Sequence, residues 1–81
     1  MDIGVEISLY PLQQEYLAPI RDFIRQLGAD GRLRVVTNSM STQLYGEYEL
    51  VMQTLSRELL RALTGTHKTV VIMKIIGPLG D

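Results

Sequence analysis

The chain has 81 residues and no cysteine, and its eight lysines and arginines face nine aspartates and glutamates, for a net charge of −1. These values exclude a disulfide framework and a thiolate zinc site. They also leave out the basic surplus with which nucleic-acid binders meet phosphates, since the one local concentration, Arg21, Arg25, Arg32 and Arg34, is diluted by Asp22 and Asp30. Hydrophobic residues make up 46% of the chain, too many for a disordered tail, and one Phe with no Trp predicts a mostly aliphatic core.

Ile3, Val5, Ile7 and Leu9 alternate with Asp2, Gly4, Glu6, Ser8 and Tyr10, which predicts a half-buried first strand. Pro11, with no amide hydrogen to donate, is expected to end it. Leu17, Ile20, Ile24 and Leu27 recur at helical spacing beside Phe23, with Arg21, Asp22, Arg25 and Gln26 on the other side. Pro19 is tolerated only near a helix start, so the helix is placed from Glu15 or Tyr16 to a cap at Gly28, with a turn at Asp30-Gly31. A short strand follows within Arg32 to Asn38, and a tight hairpin leads to a third strand, Ser39 to Tyr45, broken by Gly46. Glu47 and Glu49 suit the first turn of a second helix, where negative charge favours the dipole. Its buried stripe is Val51, Leu55, Leu59 and Ala62, and Gly65 closes it. The last strand runs from His67 or Lys68 to Ile76, and residues 77–81 look like a short loose tail.

The order strand, helix, strand, strand, helix, strand with right-handed crossovers predicts an α+β fold in one domain: a ferredoxin-like βαββαβ sandwich, antiparallel sheet order 4-1-3-2, both helices on one face. The last strand is apolar on both sides apart from Lys74, and one helical layer covers one side. The other is expected to meet a second copy, as a homodimer or homotetramer, which also suits the size of the domain. The N-terminus lacks the basic and long apolar regions of a signal peptide, and no apolar run approaches the ~18 residues of a membrane span. A soluble cytoplasmic protein is therefore expected.

Because successive strand side chains point to opposite faces, Glu6, Ser8, Tyr10, Ser41, Gln43 and Tyr45 are expected together on the side away from the helices. Ser8-Leu9-Tyr10-Pro11 and the segment Thr37-x-x-x-Ser41-Thr42-x-Leu44-x-Gly46, leading into a helix with Val51-Met52, resemble the YkoF family. The single-domain thiamine-binding proteins related to it show a similar pattern, matched here by Met40, Thr42, Gly46, Glu47, Val51 and Met52. The resemblance covers roughly residues 3 to 76. It implies a ligand, thiamine or its hydroxymethylpyrimidine precursor, bound without chemical change. YkoF-like chains carry two such repeats and this chain has one, so the resemblance also implies that two chains pair.

An aminopyrimidine offers a ring acceptor beside an amino donor, which a side-chain amide can match. Gln43 is placed on that edge, with Ser8, Thr37 and Ser41 adding hydrogen bonds. Tyr10 or Tyr45 can stack on the ring, and Glu6 or Glu47 can face the cationic thiazolium. Equally, Ser41 and Gln43 can be polar residues satisfied across a subunit interface, Tyr10 and Tyr45 can wedge one, and Glu47 can serve the helix dipole. Thr42 falls in phase with Met40 and Leu44, as a packed core hydroxyl does. His67, the sole histidine, stands apart from any other ligand-type residue in sequence. No nucleophile elbow, phosphate loop or metal motif is present, so neither an enzyme nor a metal or cofactor site is expected. The competing expectation is a structural or regulatory oligomerisation module with no small-molecule ligand.

Overall fold

The alternation of the first strand decides which way the sheet faces. A computed structural model describes residues 1–80: β1 (Asp2–Pro11), α1 (Leu17–Leu27), β2 (Arg34–Thr37), β3 (Thr42–Glu47), α2 (Tyr48–Leu63) and β4 (Thr69–Leu79). Ile3, Val5 and Ile7 point to the helices and are 2% exposed, whereas Glu6 and Ser8 are half-buried on the other face. The four strands pair antiparallel in the order β2-β3-β1-β4. The fold is the ferredoxin-like βαββαβ arrangement expected from the sequence.

Leu44 of β3, Phe23 and Leu27 of α1, Val51 and Leu55 of α2, and Leu33 ahead of β2 complete the core against β1. Pro19 lies in the first turn of α1, where its missing amide costs no helical hydrogen bond. Thr42 is buried, and its hydroxyl lies 3.0 Å from that of Thr37, so a core position in β3 carries a satisfied polar group. Glu58 is buried on the same face of α2 as Val51 and Leu55. Its carboxylate accepts from Arg57 Nε and from Arg61 Nη1, each at 2.9 Å.

Pro11 is the last residue of β1, as expected, although it still pairs with Thr69 and Leu12 N–H beyond it bonds to the Lys68 carbonyl at 2.8 Å. Several other boundaries differ from expectation for identifiable reasons. Gly46 does not break β3, because it pairs with Ile3 and a Cβ there would lie 2.5 Å from Leu33 Cδ2. Ser39, Met40 and Ser41 precede β3 instead of opening it. Asn38 Oδ1 accepts from the backbone N–H of Met40 and of Ser41, which holds these residues in a turn. Gly28 caps α1 at φ −99°, and the left-handed residue of the connection is Gly31, at φ 76°. Residues 77–79 are not a loose tail. A bulge between the pairs Gly4–Ile76 and Asp2–Leu79 keeps β4 in the sheet to Leu79. Asp81 lies outside the described residues. No helix among them is long and apolar enough to cross a membrane.

Candidate functional site

Strand register assembles the face opposite the helices from rows of cross-strand neighbours. One row is Arg34 of β2, Tyr45 of β3, Gly4 of β1 and Ile76 of β4; the next is Val36, Gln43, Glu6 and Lys74. Ser8 and Ile72, then Tyr10 and Val70, continue it toward the far end of β1. Gly4 has a specific use here. A Cβ at that position would fall 2.9 Å from Tyr45 Cε1, so the missing side chain lets the phenol ring settle across β1. The Arg34 guanidinium lies over the same ring, 4.2 Å from its centroid, a cation–π contact.

Within the second row the polar groups form one chain. Gln43 Nε2 donates to Ser41 Oγ at 3.0 Å, and Ser41 Oγ donates to Glu6 Oε2 at 2.9 Å. Lys74 Nζ stands 3.7 Å from the other carboxylate oxygen, Oε1. Ser41 therefore both donates and accepts, which orients its proton toward Glu6 and fixes the amide plane of Gln43. The side-chain carbonyl of Gln43 accepts nothing among the described residues and remains available for a donor. The Glu6 side chain is 44% exposed, so a ligand can reach this chain of groups.

Two hollows adjoin at Ser41. A broad one of about 540 Å³ lies over Gly4, Glu6, Gln43, Tyr45, Lys74 and Ile76. A smaller one of about 230 Å³ sits at the end of the sheet beneath the β2–β3 turn, bounded by Ser8, Tyr10, Phe23, Thr37, Asn38 and Ser41. The predicted residues thus divide. Glu6, Gln43 and Tyr45 share the broad hollow; Ser8, Tyr10 and Thr37 share the end hollow; Ser41 lines the second and hydrogen-bonds into the first. Glu47 stands apart, at the opposite end of β3, paired with Asp2. Its carboxylate caps α2 by accepting from Leu50 N–H at 3.1 Å.

Arg34 and Lys74 were not singled out from the sequence, although both border the predicted groups. Their approach depends on β2–β3 and β1–β4 register, which the alternation within one strand does not reveal. A further cavity of about 300 Å³ opens between the helices, with Pro19, Asp22, Phe23, Glu58, Arg61 and His67 on its wall. Its charges are spent on one another: Arg61 holds Glu58 and lies 3.7 Å from Asp22. Among the described residues no group of three or more His, Cys, Asp or Glu is placed to hold a metal ion.

No family model matches the chain, and no curated protein matches it in sequence. Solved structures do resemble it in shape. A Thermotoga maritima protein provisionally assigned to thiamine biosynthesis or salvage superposes with a TM-score of 0.82 at 16% identity, covering 96% of this chain and 85% of its own. A Streptococcus pneumoniae protein gives 0.82 at 24% identity, with 100% and 89% covered. A domain of unknown function from Bacillus cereus gives 0.72 at 15% identity, with 96% and 77% covered. At these identities the likeness establishes a common fold across nearly the whole chain, including a neighbour whose name points to thiamine metabolism.

Proposed function

We propose that this protein binds thiamine or its hydroxymethylpyrimidine precursor without transforming it, as a cytoplasmic homo-oligomer. The observation that carries the proposal is the Gln43–Ser41–Glu6 chain, a set of pre-oriented hydrogen-bonding groups on an accessible face with aromatic and aliphatic neighbours. Small-ligand sites combine a mostly apolar lining with a few placed polar groups, and this hollow has that composition. The free carbonyl of Gln43 suits the exocyclic amine of an aminopyrimidine, and Tyr45, which borders the same hollow, supplies an aromatic wall beside it. The resemblance to the thiamine-binding group and the name of the Thermotoga neighbour support the same ligand class.

The local charges rank the two ligands. Arg34 and Lys74 bracket the polar chain, and Glu6 already faces Lys74. A neutral hydroxymethylpyrimidine therefore meets less repulsion here than the cationic thiazolium of thiamine. Calorimetric titration with each compound, backed by thermal shift, tests this. Binding is expected for both, with the pyrimidine at least as tight. Absence of heat and of any shift at millimolar ligand would refute it.

A second function has its own support, the apolar exposure of β4. Val70, Ile72, Met73, Ile75 and Ile76 are between 38% and 63% exposed. An oligomerisation module in which the polar chain only sets subunit register would explain them without a ligand. Native mass spectrometry of freshly purified protein separates the two, because it reports stoichiometry and any co-purified small molecule together.

A further inference from the structure

The two edges of the sheet are unlike. β2 is a four-residue edge carrying Arg34, short and charged as edges that avoid pairing usually are. β4 is an eleven-residue edge whose only charge is Lys74, and that charge is already turned toward Glu6 in the same chain. The helices pack on β1 and β3, so β4 projects beyond their cover. Of its helix-side residues Val71 packs against the core, while Met73 and Ile75 remain 38% and 51% exposed. On the opposite face Val70, Ile72 and Ile76 are 46%, 55% and 63% exposed. A strand apolar on both faces with an open row of backbone donors and acceptors calls for a neighbour of the same kind, and within this chain β4 is itself such a strand.

We propose that β4 pairs antiparallel with β4 of a second copy, about a two-fold axis beside Met73, to make one continuous eight-stranded sheet. The occupant is a second copy because the geometry is self-complementary. In an antiparallel pair, directly opposite residues share a face, so the axis must pass beside a residue. Pro78 lacks an amide hydrogen and ends the open ladder, which leaves Thr69 to Gly77 available. The midpoint of that stretch is Met73. Centred there, Val70 lies opposite the partner's Ile76, Val71 opposite the partner's Ile75, and Ile72 opposite the partner's Lys74. Each lysine then lays its stem along an isoleucine with its ammonium still near Glu6. Centring one residue later sets Lys74 against the partner's Lys74, a like-charge pair. The broad hollow is bordered by Lys74, Ile75 and Ile76, so the partner's Val70, Ile72 and Lys74 would extend its wall. This rests on the oligomeric part of the function proposed above and specifies how the copies meet.

The chain has no cysteine, so an introduced thiol is unique. Directly opposite Cα atoms lie about 4.5–5.5 Å apart, within disulfide reach. Met73→Cys, oxidised with diamide, is expected to give a covalent dimer as its main product with unchanged native mass. Ile75→Cys alone is expected to give little, because four residues, about 13 Å, separate it from its counterpart. Should Met73→Cys fail to fold by circular dichroism, Val71→Cys combined with Ile75→Cys supplies the same cross-link twice. A dimer by sedimentation in which neither variant cross-links overturns the proposal, and cross-linking through Gln43→Cys would show the sheets stacked face to face instead. A monomer at 100-micromolar concentration overturns it together with the oligomeric part of the function, and ligand titration of that monomer then decides the rest independently.

Discussion

Replacing Gln43 by alanine separates a ligand site from an assembly surface. Gln43 sits on the open face of β3 between two residues, Thr42 and Leu44, that point into the core. Its loss opens no cavity, and the one bond it donates, to Ser41, can be replaced by water. The expected loss of stability is under about 1 kcal/mol, a fall in Tm below roughly 4–8 °C for a domain of this size. On the ligand the amide is assigned two hydrogen bonds to the pyrimidine edge, each with a net worth of about 0.5–1.5 kcal/mol. Together they predict a rise in Kd of on the order of tenfold to a hundredfold. Calorimetry with hydroxymethylpyrimidine measures the affinity, and sedimentation on the same samples measures the assembly. An affinity within twofold of the parent protein would refute the assignment of Gln43. Loss of assembly with no ligand effect in either protein would favour the oligomerisation module.

Three other expectations follow from the same structure. Glu47→Ala removes the cap on Leu50 N–H and is expected to cost about 0.5–2 kcal/mol in urea unfolding while leaving ligand affinity unchanged; a large affinity loss would place Glu47 in the site after all. Leu44→Ala, at a fully buried position, is expected to cost about 2–5 kcal/mol, and a loss below 1 kcal/mol would mean that the core is looser than described. Asp30 is held below its ordinary pKa of 3.8, chiefly by the Arg32 backbone N–H and then by the Arg32 side chain. A lowered carboxylate stabilises the fold above its unfolded pKa and loses that effect as pH falls through the folded value. The stability difference between Asp30→Asn and the parent should therefore be small, fully present near neutrality and gone in strong acid, with the carboxyl titration followed by NMR.

Periodicity carried most of the fold. Alternation in β1 and the 3.6-residue stripe of α2 announce both elements and their buried faces, and the element order then leaves few topologies. The errors cluster where a local signal was overruled by a distant partner. Gly46 reads as a strand breaker, yet Ile3 pairs with it across the sheet and β3 runs on to Glu47. The Gly77-Pro78 step reads as a tail, yet a bulge absorbs it. Ser39 and Met40 read as strand, yet the Asn38 side chain folds them into a turn. At the site, same-face grouping of Glu6, Gln43 and Tyr45 was legible from single-strand parity. The contributions of Arg34 and Lys74, and the split between two hollows, depend on inter-strand register and on how far the β2–β3 turn leans over the sheet end. Glu58 lies in phase with Val51 and Leu55, but its burial is tolerable only because Arg57 and Arg61 close on it.

The placement of the aromatic residues has a practical result for spectroscopy. Among the described residues Phe23 is the only aromatic side chain in the interior, whereas Tyr10, Tyr16 and Tyr48 lie at the surface and Tyr45 is half-buried beneath Arg34. With no tryptophan in the chain, ultraviolet emission originates from these surface phenols and is a poor gauge of unfolding. The same property makes Tyr45 a built-in optical reporter: any molecule that displaces the guanidinium above it should alter its quantum yield, with no label attached.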